Sequence, residues 1–117
     1  MTEILKGEDM LTAGEFGKLI GASHETVNVK RRRFEVLGLE GATGGVRYPR
    51  WQVVDGGLLL PGLKQLFATV GAAWTVYRFL CTTHAELAGC TGLDALKKGQ
   101  VDAALSVARN QVAGTFS

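Results

Sequence analysis

The stretch from Leu11 to Leu39, LTAGEFGKLIGASHETVNVKRRRFEVLGL, constrains the fold more than any other part of the chain, because it carries start, stop and restart signals for two helices. Thr12 and Glu15 have the spacing of a capping box, in which the hydroxyl accepts from the N3 amide and the glutamate reaches back to the cap. Leu11 and Phe16 suit the accompanying hydrophobic staple. A first helix is therefore predicted from Thr12 to about Ile20. Gly21 supplies the freedom of a C-cap and Ser23 is a favoured N-cap, so a second helix is predicted from His24 to about Leu37. The small Gly17 and Gly21 allow the two helices to cross closely.

The second helix has two faces. His24, Asn28, Arg31 and Arg32 fall at i, i+4, i+7 and i+8 and share one of them, while Val27, Phe34 and Leu37 cluster on the other. An apolar stripe for a core and a stripe of donors and cations for phosphates and base edges is the layout of a helix-turn-helix reader of double-stranded DNA. Ser23, His24, Glu25, Asn28, Lys30, Arg31 and Arg32 are the candidate DNA-binding residues of this element. Asn28 suits a bidentate pairing with adenine. His24 reads equally as a contact at the helix start or as a plain exposed residue, and Arg33 lies off the polar stripe.

Gly38, Gly41, Gly44 and Gly45 argue against further helix, and Val46 to Val54 is predicted to be a short extended wing, restricted by Pro49 to a sheet edge. Arg47 and Arg50 complete the candidate DNA-binding set. Tyr48 and Trp51 are wing contacts or packing between the two halves of the chain, and packing is preferred for Trp51 because a tryptophan buries so much area. A net charge of +2 does not itself point to nucleic acid, but between His24 and Arg50 six cations face three anions. Taken alone, the run Lys30 to Arg33 reads as a solvated face; inside such a helix it reads as a DNA contact.

Gly56 and Gly57 are expected to join a DNA-binding region at residues 1–57 to a helical region at 58–117. Helices are predicted from about Leu60 to Val70, from Ala72 to Cys81 and from Thr91 to Lys98, the last closed by Gly99. Thr83 and Glu86 have the spacing of a second capping box. Val101, Ala104, Leu105, Ala108 and Val112 form the stripe of a final amphipathic helix. The expected fold is mainly α: a helix-turn-helix half with a short β wing, then a small C-terminal helical bundle. At 46% hydrophobic residues the chain has material for a core.

Other chemistry finds little support. Cys81, His84 and Cys90 are an incomplete set for zinc, which needs four ligands, so two buried thiols and a surface histidine are expected, with no metal and no cofactor. Neither a Gly-x-Ser-x-Gly turn nor a phosphate-cradling glycine motif is present, and an enzyme is not expected. The longest apolar run, Leu58 to Leu60, falls far below the roughly 20 residues of a membrane span. Met1 to Met10 reads as a short arm whose Glu3, Lys6, Glu8 and Asp9 do not suit a signal peptide, and a cytoplasmic location is expected.

The segment ELAGCTGLDALKKGQVDAALSVA resembles the toxin-binding domain of Xre/MbcA/ParS-type antitoxins. Gly89, Thr91, Leu93, Asp94, Leu96 and Gly99 match that family's Gly-x-Thr-x-Leu-Asp-x-Leu-x-x-Gly pattern, and Gly92 stands where many members have proline. The resemblance implies a homodimer that neutralises a co-encoded toxin, often a RES-type enzyme acting on NAD, and represses its own operon by binding an operator. It also implies a toxin-binding surface at Ala108, Arg109, Asn110 and Gln111, running to Phe116 and Ser117. The N-terminal half departs from the longer Xre-type unit: TVNVKRRRFEVLGL with GGVRYPRW is closer to a MerR-like winged reader, with a recognition helix about one turn longer. The rival readings are a stand-alone phage or plasmid regulator without a toxin, and a protein-interaction module that does not bind DNA.

Overall fold

The computed structural model describes residues 9–41 and 45–115, and the chain divides after Leu60 into two compact units. Among the described residues it is mainly α-helical, with six α-helices and short antiparallel strands.

The first unit opens with strand β1 (Met10–Leu11) and helix α1 (Ala13–Ile20). The capping box is formed: the Thr12 N–H donates to Glu15 Oε1 at 2.9 Å, and the Glu15 N–H donates to Thr12 Oγ1 at 3.2 Å. Gly21 closes α1 in the left-handed conformation, and Ser23 Oγ accepts from the Thr26 N–H at 3.2 Å to start helix α2 (His24–Arg32). A Cβ at Gly17 would strike the Ala22 carbonyl oxygen, so the turn between the helices closes only over a glycine.

Helix α2 stops at Arg32, short of the expected Leu37, because Phe34 adopts φ 62°. The Glu35 N–H donates to the Lys30 carbonyl at 2.9 Å and the Phe34 N–H to the Arg31 carbonyl at 3.0 Å, which is a Schellman ending with phenylalanine where glycine is usual. Phe34 therefore does not join the core stripe: it is 51% exposed, and Val36 and Leu37 enter the core from the loop instead.

Strands β2 (Leu39–Glu40) and β3 (Val46–Pro49) pair as an antiparallel hairpin, and β3 also pairs with β1. The wing strand is thus central, in the order β1-β3-β2, and not the edge that Pro49 suggested. Pro49 fits because it is the last residue of its strand, opposite Met10. Leu11, Phe16, Val27, Val36 and Tyr48 make the core, with the Phe16 and Tyr48 rings stacked at 5.3 Å. Strands β4 (Val53–Val54) and β5 (Leu58–Leu59) follow as a second antiparallel pair, and Gly56 and Gly57 lie in their connecting turn. They belong to the first unit, which runs past the expected joint to Leu60.

Gln52, on the short turn Arg50–Gln52, is fully buried. Its Oε1 accepts from the Leu37 N–H at 2.7 Å, and its Nε2 donates to the carbonyls of Leu37 at 2.8 Å and Pro49 at 3.1 Å. One side chain thereby satisfies backbone groups of both the loop after α2 and the end of β3.

The second unit packs α3 (Leu63–Val70), α4 (Ala73–Cys81), α5 (Gly92–Lys97) and α6 (Val101–Thr115) around Leu63, Leu66, Val76, Leu80, Leu96 and Ala104. Helix α3 starts later than the expected Leu60, with Gly62 as its N-cap. Thr91 caps α5 by accepting from the Asp94 N–H at 3.0 Å. Gly92 is buried where a Cβ would lie 2.7 Å from the Phe79 ring, so the proline of the resembling family has no room here. Thr83 forms no second capping box; it bridges to Thr91, and the turn Ala85–Leu87 follows His84 without a side-chain cap. Among the described residues no helix is long and apolar enough to cross a membrane.

Candidate nucleic-acid interface

Helix α2 and the hairpin strand β3 are joined by a polar contact between their side chains. The Tyr48 hydroxyl, on a fully buried ring, donates to Asn28 Oδ1 at 3.1 Å. Burial pushes the Tyr48 phenol above its ordinary pKa, and the charge and hydrogen bonding of Arg31 act against that shift. Arg31 reaches the phenol because residue 38 is glycine: a Cβ there would lie 2.6 Å from Arg31 Cδ and 2.9 Å from Tyr48 Cε2. The Arg31 Nε is buried without a hydrogen-bond partner. Gly38→Ala is expected to displace Arg31 and destabilise the unit by about 1–3 kcal/mol, the usual cost of overpacking, as read by urea unfolding.

The stripe expected on α2 is therefore divided. His24 and Arg32 are exposed, while Asn28 and Arg31 are half-buried against Tyr48. His24 Nε2 lies 3.7 Å from Glu25 Oε1, and both side chains are solvent-exposed. Ser23 gives its hydroxyl to the helix cap. Lys30 pairs with Glu35 at 3.6 Å. Arg33, at the end of α2, and Arg50, just after β3, are exposed. Arg47 is half-buried, with Nη1 donating to the Val46 carbonyl at 3.1 Å. The Glu15 carboxyl is held below its ordinary pKa, first by the Thr12 N–H and hydroxyl and then by the charges of Arg47 and Lys18.

In the second unit the residues singled out for a partner separate into three groups. Ala108 is wholly buried in the core and presents nothing to a partner, because the stripe that made it legible is the stripe that packs. Arg109 and Asn110 are exposed, and Phe116 and Ser117 lie outside the described residues. Gln111 is exposed but engaged, with Nε2 2.9 Å from His84 Nδ1. His84 is buried, not on the surface as expected, stacked on Phe79 at 4.6 Å with Nε2 3.0 Å from the Phe79 carbonyl. A carbonyl only accepts, so Nε2 carries a hydrogen toward it. These groups line a cavity of about 280 Å³ together with Val70, Thr75, Arg78 and Val112. The two thiols also differ from expectation: Cys81 is exposed and Cys90 half-exposed.

Sequence reasoning missed Gln52 and the coupling role of Tyr48. A lone glutamine directly before Val53 and Val54 was the available signal for the first. For the second there was none, since helix and strand meet only on folding.

No family model matches the sequence, and no curated protein matches it. The NMR structure of Rv2175c is similar to this chain, with a TM-score of 0.73 at 19% identity, covering 87% of this chain and 80% of that one. At such identity the likeness concerns the fold alone.

Proposed function

We propose that the chain binds double-stranded DNA as a helix-turn-helix protein, placing α2 in the major groove with the β2–β3 hairpin as its wing. The observation that carries this reading is the Tyr48–Asn28 contact, which holds helix and hairpin as one element while His24, Arg32, Arg33 and Arg50 stay exposed on it. Exposed arginines at the end of a helix and beside a hairpin suit phosphates, and the half-buried polar residues suit base edges. Two copies on symmetric half-sites would enlarge the contact and match a palindromic operator.

Arg32→Ala combined with Arg50→Ala is expected to weaken binding to mixed-sequence duplex and reduce the salt slope by roughly one for each phosphate contact removed. Fluorescence anisotropy across a salt series measures both. Unchanged affinity and slope would remove the two arginines from the interface.

The antitoxin reading joins this one through the second unit. Its support is local: at the positions that match the Gly-x-Thr-x-Leu-Asp-x-Leu-x-x-Gly pattern, Thr91 caps α5, Leu96 is buried and Leu93 half-buried, and Gly99 turns the chain at φ 79°. The exposed Arg109 and Asn110 on α6 are the residues left to meet a toxin. Co-expression with the adjacent reading frame tests it. Rescue of growth and co-purification are expected, whereas a harmless neighbour that does not co-purify would leave a stand-alone regulator.

A further inference from the structure

We propose that Tyr48 is a positioning residue for base readout: it holds the Asn28 amide so that Nδ2 faces the DNA and the helix selects guanine over adenine at the base that Asn28 meets. The inference rests on the DNA-binding reading above and deepens it.

The charge of Arg31 acts on the Tyr48 phenol and favours the phenol oxygen facing it, with the hydrogen turned away. That hydrogen is donated to Asn28 Oδ1 at 3.1 Å. This bond fixes which end of the amide is which. With Oδ1 held to the phenol, Nδ2 is the end left for a ligand, and it only donates. Reading adenine with both ends of an asparagine requires Oδ1 to accept from adenine N6 while Nδ2 donates to N7. An amide turned toward Tyr48 forgoes the first of these contacts. Guanine presents only acceptors, N7 and O6, to an Nδ2 donor, whereas adenine sets its own N6 donor beside N7, so the preference inverts. Gly38 is part of the device, because a side chain there would push Arg31 off the phenol.

The test uses the full chain, a pool of duplexes with a randomised core, and anisotropy on the selected duplex with single guanine-to-adenine changes. The wild type is expected to prefer guanine by at least about fivefold at one position of each half-site, the lower end for a good base contact, and Asn28→Ala should abolish that preference. Tyr48→Phe, which keeps the buried ring, should bring guanine and adenine close to equal at that same position. A merely structural role for the hydroxyl would lower affinity for both bases alike and leave their ratio as in the wild type. Asn28→Asp still accepts from Tyr48 but offers an acceptor to the base, so guanine should give way to cytosine. The proposal is overturned if adenine is preferred at the Asn28-dependent position, if Asn28→Ala leaves every base preference intact, or if Tyr48→Phe leaves guanine favoured. In each of those cases duplex is still bound and the DNA-binding reading stands. A chain that binds no duplex at low salt overturns both.

Discussion

Gln52→Ala is expected to destabilise the first unit by about 3–5 kcal/mol, the largest effect of any single substitution considered, because two kinds of loss coincide. The side chain is fully buried and makes three hydrogen bonds to backbone groups of Leu37 and Pro49. Truncation strands those groups away from water and leaves a cavity as well. A unit of this size has a stability of only several kcal/mol, so most of it would be lost. Urea unfolding followed by the fluorescence of Trp51, with Trp74 as the tryptophan of the second unit, measures it. Gln52→Glu sharpens the test through pH. A carboxylate there would face two carbonyl oxygens in a buried site, so its folded pKa would be raised above the ordinary value of about 4.3. Stability contributed by the protonated form is fully present below the unfolded pKa and lost as pH rises through the folded one, so this variant should be most stable in acid. Equal stability at pH 4 and pH 8 would remove the buried hydrogen-bond argument.

Gly17→Ala is expected to cost about 2–4 kcal/mol, at or beyond the upper end of ordinary overpacking, because the added methyl meets backbone and not a flexible side-chain tip. The Ala22 N–H donates to the Gly17 carbonyl at 2.9 Å, so the turn is already closed at this point and relief requires it to open. Opening moves α2 relative to α1, and DNA affinity should fall with stability. Gly14→Ala is the matched control: it lies in the same helix with nothing within 4 Å of its Cβ, and it should gain about 0.5–1 kcal/mol from helix propensity alone. Thermal unfolding of the pair checks the sign as well as the size. Similar behaviour of the two variants would contradict the close approach.

The parts of this fold that were legible beforehand are those determined by neighbours in sequence. Thr12 with Glu15, Gly21 and Ser23 act over three or four residues, and each is found capping the helix it predicts. The early end of α2 was hidden because Phe34 takes a left-handed conformation that phenylalanine rarely adopts, while Val36 and Leu37 beyond it are held by Leu11, Phe16, Tyr48 and Gln52, which lie elsewhere in the chain. Strand β1 is two residues long and exists by pairing with β3, so no periodicity announces it. The candidate interface divides in the same way. That α2 carries cations was visible, whereas the withdrawal of Asn28 and Arg31 toward Tyr48 depends on a strand twenty residues away in the chain. His84 was misjudged for a related reason: its partners, the Phe79 carbonyl and Gln111, converge on it only in the packed unit.

The most direct test of the central claim is the binding of the full chain to a fluorescent mixed-sequence duplex, followed by anisotropy from low to physiological salt. Binding at low salt is predicted, with the logarithm of the association constant falling linearly with the logarithm of salt by about 0.9 per phosphate contacted. An anisotropy that stays at the value of free duplex at the lowest salt, or an affinity indifferent to salt, would contradict the account.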